Sequence, residues 1–432
     1  MRITISTFGS RGDVESPLAL AVGLQKRGHQ VTLVAPEAYA AWIRSYGVRW
    51  AVLRFDLSRC LADEALSGLL RRGRRLQYLR TLRTAVQVGS REALDDLLAA
   101  SGDADFILQC GVGHGGVEIA DHRGIPMAFM YLYPYAPTRA FPSFMLDRRG
   151  SLGGCYNRWT QRLVYGVTWR TYGPPLNAWR SERFGLPPWL SYAQMLTARE
   201  PLSAPNLLAF SDALVPKPAD WNDNQHITGF MALPPPPDWL PPAALTRFLD
   251  SGPTPVYVGF GSMRAGVPER QTRCVLRALE AAGQRGILLV GGGGALTRLP
   301  APDSVLYVDS VPHRWLFPRV SAAVLHGGPG TLAAALHAGL PTVTFPHMID
   351  QHAWAQRVSE LGIGINVAPL RKLRAEPLAA AIRTVVEDPA LRARATAFGE
   401  TIRSEDGVNN AAVLIERYAA EFPRLSNRRS AA

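Results

Sequence analysis

The chain is poor in cysteine and has no long apolar run. Its four cysteines, Cys60, Cys110, Cys155 and Cys274, stand far apart and form neither a CxxC pair nor a zinc spacing. That excludes a disulfide framework of paired spacings and fits a reducing cytosol, so a cytoplasmic protein is expected. No segment reaches the roughly 18 consecutive apolar residues that cross a bilayer. The first residues, Met1 to Phe8, lack the apolar core of a signal peptide, so none is expected. A GxxxxGK[ST] loop is missing, which argues against an ATPase of that type. No acidic DxD motif stands where it would hold a metal: Asp103-Ala-Asp105 precedes a strand and reads as a cap, so no metal and no tightly bound cofactor is expected.

What is present is a globular composition, 47% apolar over 432 residues, with a net charge of +12. Roughly 150 residues per domain makes this two or three domains. The basic excess attracts polyanions or phosphorylated substrates. Its densest cluster is Arg71, Arg72, Arg74, Arg75, Arg80 and Arg83, read either as a solvated helix face or as a peripheral contact with anionic membrane. No zinc-finger or RNP motif accompanies it, so nucleic acid is not an expected partner.

Hydrophobic periodicity describes two doubly wound halves. Arg2–Phe8 reads as a strand, Gly9–Asp13 as a loop, Pro17–Arg27 as a helix ended by Gly28, and Gln30–Ala35 as the next strand, which is a βαβ unit. Phe106–Cys110 and Pro126–Tyr131 are strands around a helix at Val117–His122, and Leu207–Ala209 and His226–Gly229 are short strands. Pro134–Trp189 reads as irregular and aromatic-rich. Leu233–Pro242, with six prolines, is a linker. Beyond it strands are expected at Val256–Gly259, Ile287–Val290, Val305–Val308, Ala322–Leu325 and Thr342–Phe345, and helices at Gln271–Ala282, Gly330–Ala338 and Ala353–Leu361. The expected division is 1–232, linker 233–242 and 243–432, with the last helix packing back on the first domain. Such sheets bind ligands in the crevice beyond the carboxyl ends of their strands.

The segment His326-Gly-Gly-Pro-Gly-Thr331 ends one of those strands and opens a helix. A helix N-terminus presents unpaired N–H groups and a positive dipole end, and glycines let a diphosphate approach the backbone. Taken alone it is equally a plain strand-to-helix turn. Gly259-Phe-Gly-Ser262, Val311-Pro-His313 and Asp350-Gln351 follow neighbouring strands and point to the same edge. Gly111-Val-Gly-His-Gly-Gly116 fits GxGxxG, but no acidic residue follows at the distance a dinucleotide fold needs, so it reads as a turn.

In this combination and order the motifs resemble the GT-B glycosyltransferases that use UDP- or dTDP-sugars, the branch holding sterol glucosyltransferases and bacterial glycopeptide and macrolide glycosyltransferases. The likeness lies in Gly9-Ser-Arg-Gly-Asp-Val14, Ala140-Phe-Pro142, His226-Ile-Thr-Gly229, Val311 to Val320, His326 to Thr331, and Ala338 to Pro346 with Asp350-Gln351. It departs from that branch at Glu15-Ser16, Arg314, Leu325, Pro329 and His352-Ala353-Trp354. The resemblance implies two Rossmann-like domains facing a cleft: the first binds the acceptor, the second the donor.

It implies that His326, Gly327, Gly328, Gly330 and Thr331, helped by Ser262, hold the diphosphate. Val311 meets the nucleobase, Asp350 and Gln351 bind sugar hydroxyls, and Ser10, Arg11 and Gly12 approach the donor from the other domain. Asp13 is the general base. The aromatic segment, Phe141 and Phe144 included, is expected to line a hydrophobic acceptor. The expected reaction is inverting, metal-independent transfer of a hexose, glucose first, to a small-molecule hydroxyl. The alternatives are a dTDP-deoxysugar or rhamnosyl transferase and a sugar-nucleotide-binding accessory protein without turnover.

Overall fold

A computed structural model describes residues 1–56, 60, 74–112, 115–146, 150–197, 204–261, 267–291, 294–347 and 350–430. Two all-parallel sheets organise it. The first has seven strands in the order β3-β2-β1-β4-β5-β6-β7, and the second six in the order β10-β9-β8-β11-β12-β13. In chain order these are β1 Arg2–Ser6, β2 Gln30–Pro36, β3 Arg49–Leu53, β4 Phe106–Cys110, β5 Met127–Tyr131, β6 Asn206–Leu208 and β7 Gln225–Ile227; then β8 Val256–Gly259, β9 Gly286–Leu289, β10 Val305–Val308, β11 Ala322–Leu325, β12 Thr342–Thr344 and β13 Gly364–Asn366. The central strands β4, β5, β8 and β11 are buried at every residue, as strands covered on both faces must be.

Six helices position the site: α1 Arg11–Lys26, α2 Arg75–Ala100, α3 Gly154–Phe184, α4 Pro329–His337, α5 Gln351–Glu360 and α6 Gly407–Ser430. The last of them, α6, belongs by sequence to the second half but packs on the first. Its Ala411, Ala412 and Ile415 share a buried cluster with Val14, Leu18 and Leu24 of α1. Arg27 and His29 both engage Glu416. Residues 233–242 hold no helix or strand.

Helix α1 starts earlier than its apolar period indicates. Proline at position 17 marks a helix start by its usual rule, yet here it sits inside the helix. Proline lacks the N–H that would bond the carbonyl four residues back. That carbonyl belongs to Asp13, and the Thr7 hydroxyl donates to it instead at 2.8 Å. The region expected to be irregular, Pro134–Trp189, contains the 31-residue helix α3. Its inward face carries polar residues, which concealed the period: Asn157, Thr160 and Gln161 are buried and hold the 139–143 loop. Asn157 donates to the Arg139 carbonyl, Gln161 donates to the Phe141 carbonyl, and Thr160 accepts from the Ser143 N–H. Of the arginine cluster, Arg71 and Arg72 lie outside the described residues, and Arg80 and Arg83 are exposed on α2. No described helix is long and apolar enough to cross a membrane.

Candidate active site

The carboxyl ends of both sheets face each other over a cavity of about 310 Å³. Segments after β1, β4 and β5 line it from one side; segments after β8, β9, β10, β11 and β12 line it from the other. Ser10, Arg11, Gly12, Asp13, Val311, His326, Gly328, Gly330, Thr331, Asp350 and Gln351 all stand in its wall. Ser262 lies outside the described residues. Gly327 supplies the turn: its φ of +85° is a left-handed value, and a Cβ there would lie 3.1 Å from the Gln351 carbonyl oxygen.

Two helix N-termini converge on this space, and they differ in one respect. That of α1 is closed by a capping box. The Ser10 N–H and hydroxyl both donate to Asp13 Oδ2, at 2.6 and 2.9 Å. That of α4 carries no side-chain cap. Proline is its first residue, Leu332 N–H is already bonded to the Gly328 carbonyl at 3.0 Å, and the N–H groups of Gly330 and Thr331 have no intrahelical acceptor. The α4 end thus presents backbone N–H groups to the cavity, and the α1 end presents the Asp13 carboxylate. The two helices come close, since a Cβ on Gly330 would lie 3.5 Å from Gly12 Cα.

Both Ser10 bonds fall on Oδ2, so Oδ1 is the oxygen they leave to the cavity that Asp13 lines. Burial raises the Asp13 pKa above the usual carboxylate range, with the bonds from Ser10 opposing. Gly9, at φ +123°, is required beside it, because a Cβ would press against Asp13 Oδ2. His326 lies between two glycines: a Cβ on Gly261 would meet its Cε1 at 2.8 Å, and one on Gly328 would meet Nε2. Burial, reinforced by His347, pushes His326 down to about 4, so the ring is neutral at pH 7. Burial likewise lowers His313 to about 3; its Nε2 is 3.0 Å from the Tyr257 hydroxyl. Arg11 reaches across the cleft, donating to Ser310 Oγ at 3.4 Å.

Burial, with the Asp13 charge adding, raises Asp350 to about 7. The Trp354 indole opposes by donating to Asp350 Oδ2 at 3.0 Å. Because the two carboxylates interact, the proton belongs to the pair. A carboxyl raised in the folded state adds stability that is complete below about pH 4 and is lost as pH rises through about 7. Asp350→Asn removes this dependence. Its melting temperature therefore gains on the wild type between pH 5 and pH 8; a difference constant across that range contradicts the pairing. Trp354→Phe keeps the ring and deletes the donor. A lost hydrogen bond to a charged group is worth about 1.5–3 kcal/mol, so the melting temperature of this variant drops at pH 8, where Asp350 is ionised, and drops less at pH 5; an equal drop at both contradicts the bond.

Phe141 and Phe144, expected to line the acceptor, are not among the residues lining this cavity. Phe144 packs edge-on against Trp354 at 5.0 Å and against Phe141 at 5.5 Å, and Phe141 meets Trp221 at 6.2 Å. Their rings are absorbed in a core that ties the first domain to α5. The apolar wall comes instead from Phe8, Val112, Leu132, Tyr133 and Met145. Tyr133, Cys110 and Glu15 also escaped the sequence reading. The rule that found the second domain's residues, looking just past each strand's carboxyl end, also reaches Cys110 and Tyr133. Glu15 becomes visible once α1 starts at Arg11, since it lies one turn further on.

Asp105, half of the one DxD-like match, is taken up by Arg2, whose N–H and guanidinium both bond it.

Two parallel-sheet domains closing on one cleft, with an open helix N-terminus on one side and a half-buried carboxylate on the other, define the GT-B class of glycosyltransferase. The solved structure of the kitacinnamycin glycotransferase superposes with a TM-score of 0.69, at 20% identity, over 96% of this chain and 98% of that one. The model for the glycosyltransferase family 28 N-terminal domain matches residues 3–102, and that for the erythromycin biosynthesis protein CIII-like C-terminal domain matches 293–411. The O-mycaminosyltylonolide 6-deoxyallosyltransferase of Streptomyces fradiae is 35% identical, over 97% of this chain and 98% of its own length. A sterol 3-beta-glucosyltransferase of Emericella nidulans is 32% identical over 100% of this chain, which spans only 31% of that longer protein. The chain belongs to this family of glycosyltransferases.

Proposed function

We propose that the protein moves a hexose, glucose in the first instance, from a nucleotide diphosphate sugar to a hydroxyl of a hydrophobic small molecule, a natural product, sterol-like compound or lipid, with inversion and without a metal. The observation that carries this is one cavity containing a half-buried carboxylate, an uncapped helix N-terminus and an apolar wall. In this reading the N–H groups of Gly330 and Thr331 and the neutral His326 hold the diphosphate, with Ser262 and the Ser10–Gly12 turn assisting. Val311 meets the base, and Asp350 with Gln351 binds sugar hydroxyls. Asp13 Oδ1 takes the acceptor proton as the acceptor oxygen bonds to the anomeric carbon; the bond from that carbon to the diphosphate breaks, and its electron pair leaves with the phosphate. The helix dipole and N–H groups stabilise that growing charge.

The asymmetry of the cavity supports single displacement, because the base and the phosphate site belong to opposite domains. Product NMR is expected to show inversion at the anomeric carbon, and retention overturns the mechanism. A second reading, a dTDP-deoxysugar or rhamnosyl donor, is favoured by the name of the Streptomyces fradiae relative. A panel of nucleotide sugars read by thermal shift separates the two, since a donor at about 100 times its Kd stabilises by about 2.7 kcal/mol. Binding of a nucleotide sugar without transfer to any hydrophobic acceptor supplied with it would instead favour a non-enzymatic accessory protein.

A further inference from the structure

The inward face of α3 is satisfied by the 139–143 loop and by an aromatic cluster. Tyr165 lies 5.0 Å from Tyr135, and Tyr172 lies 6.5 Å from Phe8, which lines the catalytic cavity. The opposite face is apolar and uncovered. Trp159 is 55% exposed, Leu163 41% and Val167 57%. Spaced four apart, they form one stripe along the helix, about 12 Å long at 1.5 Å per residue. Arg158 and Arg162 border the stripe and Arg170 closes its end, all three exposed. From Gly150 to Ser181 the chain contains no Asp or Glu.

We propose that this outer face docks on an anionic phospholipid surface, with Trp159, Leu163 and Val167 at the boundary of headgroups and acyl chains and the three arginines on lipid phosphates. An apolar stripe bordered by cations is the pattern of interfacial helices. Charge selects the occupant. A second copy of the same face would set arginine against arginine, and a nucleic acid would leave leucine and valine unmatched. The inner face of the same helix walls the approach to Phe8, so docking would bring a lipid-dissolved acceptor to the cavity's apolar side. The surface stands on α3 alone and does not depend on which sugar or acceptor is used.

Flotation of the full chain with vesicles tests it without any substrate. Vesicles of phosphatidylcholine with phosphatidylglycerol should carry the protein, pure phosphatidylcholine should not, and high salt should release it. Two variants, W159S/L163S/V167S and R158Q/R162Q/R170Q, should each lower partition at least about ten-fold with unchanged circular dichroism. R80Q/R83Q on α2 should retain binding. The proposal is overturned by an unbound wild type, by stripe variants that bind as well as wild type, or by loss of binding in R80Q/R83Q alone. It is equally overturned if sedimentation shows that the stripe variants turn a dimer into a monomer and no vesicle binding exists.

Discussion

Replacing Asp13 with Asn lowers turnover by about 10²–10⁴ and leaves affinity for the nucleotide diphosphate nearly unchanged. Asn is the cleaner substitution. Ser10 places both of its hydrogen bonds on one oxygen, Oδ2. The amide keeps an acceptor there, so the capping box survives, while Ala would also break it. What Asn cannot do is take a proton at Oδ1. The pH dependence has a definite sign. Burial raises the Asp13 pKa, and only the deprotonated form is a base, so wild-type kcat/KM falls as pH is lowered through that raised value. The residual activity of the Asn variant lacks this acidic limb. Steady-state kinetics against pH, with nucleotide affinity by calorimetry, measures both parts. Unchanged turnover removes Asp13 from the chemistry, and a large loss of nucleotide affinity would make it a structural residue.

His326→Ala lowers turnover by about 10²–10³ and also weakens nucleotide diphosphate binding. The imidazole is confined by Gly261 and Gly328 at the opening of α4. Its pKa of about 4 makes it a neutral donor across the working range. Its contribution to leaving-group stabilisation is therefore independent of pH above about 6, unlike that of Asp13. The ratio of wild-type to His326→Ala turnover should be flat from pH 6 to pH 9. A ratio that climbs toward acid would mean the ring acts as a cation, against the burial that depresses it. The cavity wall is otherwise rich in acids, with Asp13, Glu15, Asp309 and Asp350. On the proposed reading the diphosphate is met by backbone N–H groups, the helix dipole, Arg11 and this ring.

Much of the second domain was legible in the chain. Strands β8, β10 and β11 coincide with short β-rich runs, and the residues just beyond their ends line the cavity. Local signals suffice there because glycine, proline and β-branched residues act on their immediate backbone. The first domain was harder to read. Helix α3 hides its period behind buried Asn157, Thr160 and Gln161, whose inward position makes sense only once the 139–143 loop is there to be bonded. Proline at position 17 signals a helix start until Thr7 is seen to occupy the carbonyl it leaves vacant.

By itself the sequence determined the doubly wound class and the glycine turn at His326–Thr331, because strand, helix and turn signals act on the backbone a few residues away; Asp13 was singled out by the family resemblance. Tertiary structure alone decided that the α1 and α4 N-termini meet over one cavity, that Phe144 serves the core while Phe8 and Tyr133 face the cavity, and that the Asp13 charge raises the Asp350 pKa. These outcomes depend on burial and on groups hundreds of residues apart in the chain, and desolvation and Coulomb interactions depend on distance in space.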